Sequence, residues 1–266
     1  MSQQLRQLFQ SARNQKKALF LPYVCIGYPS YEASLKTAEA ALRAGADALE
    51  LGVPFSDPIA DGPTLQMATQ YALDHHTHVD HAFKLIGELR KNGFFQPLLV
   101  MTYLNPIEQM GWEIFARRLS QAGGDGAIVP DLPLEKFSEA NRFLTVKGLS
   151  LIPFLAPTSS EERVKKVDAQ GAPFLYYVSL TGVTGARKTL APGLLTSLRK
   201  LRNRLKTPVV VGFGISNRSQ AEKVGKVADG VIIASALIQL VSRIKSSQIS
   251  SQVEIFCREI VEALAV

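Results

Sequence analysis

The stretch ADALELGVPFSDPIADGPT, residues 46–64, carries the acids best placed to move protons. Period-two alternation sets Ala48, Glu50 and Gly52 on one face and Leu49, Leu51 and Val53 on the other. The bulky set belongs against neighbouring elements, which turns Glu50 inward. A carboxyl group there loses water, and its pKa rises toward neutrality unless hydrogen bonds hold the charge. Such a group can give a proton and take one back. The competing reading makes Glu50 structural, satisfied by backbone or a neighbouring hydroxyl. Asp57 and Asp61 follow in a segment stiffened by Pro54, Pro58 and Pro63. Asp-Pro pairs are also ordinary turn formers, so the residues alone leave both aspartates open.

A second group is rich in glycine. SLTGVTGARK spans Ser179–Lys188, GFGIS spans Gly212–Ser216, and ASA spans Ala234–Ala236. Small residues let backbone N–H groups approach an anion, and a helix starting near Ser235 adds its dipole. The 179–188 segment reads either as a cover that closes over a ligand or as a plain connection.

Two other chemistries lack their parts. All four histidines fall in DHHTHVDH, residues 74–81. Their spacing could suit zinc or nickel, but no second cluster completes a ligand set, and the segment reads as an outer helix. No lysine lies in an apolar run, so a desolvated amine for a Schiff base is missing. Carbon–carbon chemistry here needs a substrate that serves as its own electron sink.

The elements that must hold these residues are short apolar runs separated by amphipathic helices. The runs are Leu19–Ile26, Ala46–Val53, Leu98–Leu104, Gly126–Asp131, Leu149–Leu155, Phe174–Leu180, Val209–Ile215 and Gly230–Ala234. Most are rich in Val, Ile, Leu or aromatics, as strands covered on both faces are. Helical spacing is read in Tyr31–Ala44, Trp112–Gln121 and Leu194–Leu205. Eight β-then-α units without a linker predict an α/β fold, one (β/α)8 TIM barrel over residues 1–266. An open doubly wound sheet is the alternative. An extra N-terminal helix, Gln3–Lys16, is expected to cap the lower end, and a last helix covers Ser251–Ala265. In a barrel the chemistry sits at the carboxyl ends of the strands, with phosphate after the seventh and eighth.

At 266 residues and 46% hydrophobic, the chain can bury one large core. The polar, basic start lacks the apolar run of a signal peptide. No window approaches the roughly 18 apolar residues of a membrane span. Cys25 and Cys257 form neither a disulfide framework nor a metal spacing. A soluble, cytoplasmic protein is expected. The net charge of +7 gathers most densely at Arg199–Lys206 without aromatics for base stacking, so a solvated helix face is preferred to nucleic-acid binding.

These motifs, together with PYVCIGYP, LLVMTYLNP and IVPDLPLE, resemble the tryptophan synthase alpha chain family over nearly the whole barrel. That family cleaves indole-3-glycerol phosphate to indole and glyceraldehyde 3-phosphate, in an alpha-beta-beta-alpha heterotetramer. Its beta chain carries pyridoxal phosphate and makes tryptophan, so the resemblance implies no cofactor or metal in this chain. It implies Glu50 as the acid–base residue, and Asp61 rather than Asp57 as the carboxylate on the indole N–H. Tyr23 and Met101 match the indole pocket wall, Tyr176 the tyrosine near the glycerol portion, and Thr184 the residue closing over Asp61. Gly185, Phe213, Gly214 and Ser235 match phosphate positions. Ala234 departs from the family's usual glycine, which would weaken phosphate binding if a positive φ were required there.

Two rivals remain at this stage. Indole-glycerol-phosphate synthase would be expected to use a strand-end lysine, which is missing here. A regulatory subunit that activates a beta chain without turnover would not need Glu50 and Asp61.

Overall fold

The computed structural model describes residues 1–178, 190–212 and 214–265. Its strands are β1 (Leu19–Cys25), β2 (Leu49–Gly52), β3 (Leu98–Met101), β4 (Gly126–Ile128), β5 (Ser150–Ile152), β6 (Phe154–Leu155), β7 (Leu175–Val178), β8 (Val209–Gly212) and β9 (Gly230–Ile233). All neighbouring pairs are parallel, in the order β5-β4-β3-β2-β1-β9-β8-β7-β6.

The sequence treats 149–155 as one run, and the structure divides it at Pro153. Proline has no N–H for the ladder. Below the break β5 pairs with β4, and above it β6 pairs with β7. The Pro153 carbonyl accepts the Tyr176 N–H at 2.8 Å. The two halves therefore serve as the fifth strand of a (β/α)8 barrel.

Alternation sorts two cores. Leu21, Tyr23, Ala48, Leu99, Met101, Ile128, Ile152, Tyr176, Val210 and Ile232 fill the barrel interior. Leu49, Leu51, Val100, Leu175, Val209 and Val231 pack outward with the helices. The extra helix α1 (Gln3–Asn14) plugs the lower end with Leu5, Phe9 and Ala12. Phe9 stacks on Phe174 with ring centroids 4.9 Å apart.

Aspartates tie down the amino ends of the strands. Asp47 accepts the Phe20 N–H at 2.9 Å and binds Lys17 at 2.7 Å. Asp125 accepts the Leu98 N–H and the Ser2 hydroxyl, both at 3.0 Å, and binds Arg90 at 2.9 Å. Asp229 accepts the Val209 N–H at 2.8 Å and binds Arg13 at 3.0 Å and Arg202 at 3.3 Å.

The apolar runs overshoot the ladders. Leu104 opens a helix, Leu104–Met110, instead of ending a strand, and Ala46–Ala48 lead into β2 without joining it. Apolar residues keep packing where strand pairing has stopped. Helix α1 ends at Asn14, two residues short of the expected Lys16, whose φ of 56° leaves the helical region. The last helix starts at Ile249. Among the described residues no helix is long and apolar enough to cross a membrane.

Candidate active site

Strand β2 places Glu50 on the inner wall, level with Tyr23 of β1 and Leu99 of β3. It is fully buried, and neither carboxyl oxygen has a hydrogen-bond partner. Among the described residues, only Asp61 Oδ1 and Thr102 Oγ1 share that condition. Buried polar atoms are nearly always paired, so such a concentration of exceptions marks a place kept for another purpose. Burial first, and the charge of Asp61 second, push Glu50 up to about 8.

The structure separates the two aspartates that the sequence left open. Asp57 is exposed and accepts the Ser56 hydroxyl at 2.5 Å. Asp61 is buried, and burial raises its pKa to about 7 against the lowering effect of a hydrogen bond from Tyr103. Burial drives both carboxyls toward the protonated form, so each can hold and release a proton nearer to neutral pH than an ordinary carboxylate.

Tyr23 of β1 and Tyr176 of β7 share the barrel interior with this pair, and both feel the charges of Glu50 and Asp61. Each lies over a glycine of the next strand. A Cβ at Gly52 would fall 2.0 Å from the Tyr23 hydroxyl oxygen, and one at Gly212 would fall 2.1 Å from that of Tyr176. These glycines clear space for the phenols. A cavity of about 810 Å³ opens above them, lined by Ile59, Ala60, Met101, Phe154, Tyr176 and Arg163 among others. Met101 and Tyr176 belong both to its wall and to the inward-facing set around Glu50, whereas the two carboxyl groups stand outside the wall itself.

The corner expected to take an anion follows β8 and β9. Gly214 has φ of 79°, a conformation that disfavours a Cβ. The Gln220 side-chain carbonyl accepts the Ser216 N–H at 2.7 Å and its hydroxyl at 3.0 Å, which fixes the turn. Ser235 begins the helix Ser235–Arg243, whose first N–H groups have no carbonyl partner within the helix. Ala234 precedes it with φ of −113°, so its methyl group introduces no strain. Thr184, Gly185 and Phe213, expected here from the sequence, lie outside the described residues.

The model for the tryptophan synthase alpha chain family matches residues 9–265. The chain belongs to this family. The tryptophan synthase alpha chain of Chloroflexus aggregans is 41% identical over 259 residues, covering 97% of each chain. The solved alpha subunit of Legionella pneumophila tryptophan synthase superposes with a TM-score of 0.90 at 33% identity, covering 99% of this chain and 98% of that one. Mycobacterium tuberculosis tryptophan synthase superposes with a TM-score of 0.89 at 32% identity over 100% of both chains.

One residue in this alpha-chain site escaped the sequence reading. Tyr103, from the motif MTYLNP, accepts the Ala60 N–H at 3.0 Å and hydrogen-bonds Asp61. Phe55 stacks on its ring at 5.1 Å between centroids. Tyr103 thus braces the whole 55–61 loop from β3. A polar aromatic two residues past a strand was the available signal.

The histidines take local roles. His75 stacks on Tyr71 at 4.2 Å, and the His78 N–H donates to His81 Nδ1 at 3.2 Å where the helix Val79–Lys91 begins. Among the described residues no three His, Cys, Asp or Glu side chains gather as a metal site.

Proposed function

We propose that this alpha chain cleaves indole-3-glycerol phosphate into indole and glyceraldehyde 3-phosphate and passes the indole to a beta chain in an alpha-beta-beta-alpha assembly. The observation that carries the reading is a pair of buried carboxyls at the barrel mouth, three of whose four oxygens lack a hydrogen-bond partner among the described residues.

Glu50 donates its proton to indole C3, giving an indoleninium whose N–H faces the Asp61 carboxylate. A carboxylate aimed at charge that appears during reaction lowers the barrier selectively. The Glu50 carboxylate then removes the proton from the hydroxyl on the carbon attached to C3. That oxygen forms the aldehyde, the C3–carbon bond breaks, and its electron pair returns to the ring as indole. The indoleninium is the electron sink, so Schiff-base and metal chemistry are not assigned to this chain. Pyridoxal phosphate belongs to the beta chain.

Tyr23 and Met101 hold the indole, and Tyr176 packs near the glycerol portion. Gly214, Ala234 and Ser235 receive the phosphate, with Gly185 and Phe213 assigned beside them and Thr184 over Asp61 from the family resemblance. Ile59, 78% exposed beside the cavity, suits a surface that a beta chain covers. We place the reaction in the cytoplasm.

Purified chain given indole-3-glycerol phosphate should release indole, faster with a beta chain present. Glu50→Gln and Asp61→Asn should each cost on the order of a hundredfold or more in kcat. Folded variants that retain wild-type turnover would overturn the assignment.

A further inference from the structure

Arg163 lies in the first turn of the helix Glu161–Ala169, which follows β6 at the barrel mouth. Its side chain lines the cavity beside Thr158, Ser159 and Ser160, and it is the only lysine or arginine among the described residues to do so. The acids next to it are engaged elsewhere. Glu161 binds Arg204 at 3.1 Å, and Glu162 binds Lys166 at 2.7 Å. The Arg163 backbone N–H caps onto the Ser160 hydroxyl at 3.2 Å, while its guanidinium has no ion pair among the described residues. A half-buried charge on a concave wall projects its field into the cavity and raises the local concentration of anions.

The phosphate corner at Gly214 and Ala234–Ser235 does not share this wall. The cavity thus has a cation on its rim that is separate from the place assigned to phosphate during reaction. We propose that Arg163 is the substrate-guiding residue of this alpha chain: it attracts the phosphate of the incoming substrate at the cavity rim and takes no part in bond cleavage. The inference rests on the lyase reading above and adds a step that precedes it.

A guiding charge acts on encounter, so it appears in kcat/KM, is screened by salt, and leaves kcat alone. Arg163→Gln preserves the capping N–H and has similar helix propensity. With a beta chain present, kcat/KM for indole-3-glycerol phosphate at low salt should fall roughly five- to tenfold. The deficit should close as salt rises to about 0.3 M, and Arg163→Lys should recover most of it. Stopped-flow binding reads the same step without turnover, and Arg163→Gln should slow association while dissociation stays within about twofold. An unchanged association rate, a deficit insensitive to salt, or a fall in kcat alone would overturn the role given to Arg163. A wild-type chain that binds the substrate but releases no indole would sink the lyase reading instead, with the association rates still deciding Arg163.

Discussion

At the amino ends of the strands, Asp47, Asp125 and Asp229 each accept a backbone N–H from the preceding strand and meet at least one cation. At the carboxyl ends, Glu50 and Asp61 are as deeply buried as Asp125 and Asp229, yet among the described residues no cation pairs with them and three of their four oxygens lack a partner. Burial pushes Asp125 upward too, but the Leu98 N–H, the Ser2 hydroxyl and Arg90 all pull against it. At Glu50 every cause acts upward. One end spends its carboxylates on holding strands together. The other leaves them unsatisfied, at a cost in stability that makes them available to a substrate.

The largest effect expected from breaking this contrast is at the lower end. Asp125→Ala leaves Arg90 without its ion pair and orphans the Leu98 N–H. Removing one partner of a buried pair typically costs about 3–5 kcal/mol. Urea unfolding should show that loss, with kcat per folded molecule unchanged. A stability within about 1 kcal/mol of wild type would mean that the lower aspartates are no better used than surface charges.

At the upper end the sign reverses. The folded state raises the Glu50 pKa to about 8, whereas the unfolded chain releases that proton near the ordinary value of about 4.3. Its contribution to stability is therefore complete below the unfolded pKa and is lost as pH rises toward the folded value. Glu50→Gln should stabilise the protein at pH 8 by on the order of 2 kcal/mol, less than the full shift implies because a buried amide also lacks partners. The gain should shrink as pH falls from 8 and be gone below about 4, where the acid is protonated in both states. Thermal melts at both pH values test this, and a destabilised Glu50→Gln at pH 8 would contradict it.

The contrast was only partly legible in the sequence. Local alternation was enough to turn Glu50 inward, because a period of two is a property of neighbouring residues. Eight apolar runs were enough to order the barrel, though not to find the break at Pro153, where apolar character continues while the ladder does not. The choice of Asp61 over Asp57 needed the family resemblance, because the burial that distinguishes them depends on Tyr103, 43 positions beyond Ala60. The lower aspartates were passed over for the same reason: each looks like an ordinary turn acid until its partners on other elements are known. Whether position 234 calls for glycine could not be read before its φ of −113° showed a backbone conformation open to any residue.

Tyr103 offers a smaller and sharper test, because among the described residues it is the side chain that hydrogen-bonds a carboxyl of the upper pair. Its hydroxyl takes the Ala60 N–H and lowers the Asp61 pKa against burial. Tyr103→Phe keeps the ring and the Phe55 stack, so the change falls on that hydroxyl. Without it the Asp61 pKa should rise further above about 7, leaving less carboxylate at neutral pH. The acid limb of the kcat profile should then move upward by roughly one unit, equivalent to about 1.4 kcal/mol. Activity should fall about tenfold at pH 6 and only about twofold at pH 8, where the variant is already about half ionised at Asp61. A uniform loss at every pH would assign Tyr103 to loop packing alone, while an unmoved profile would mean that Asp61 holds its charge without help from the protein.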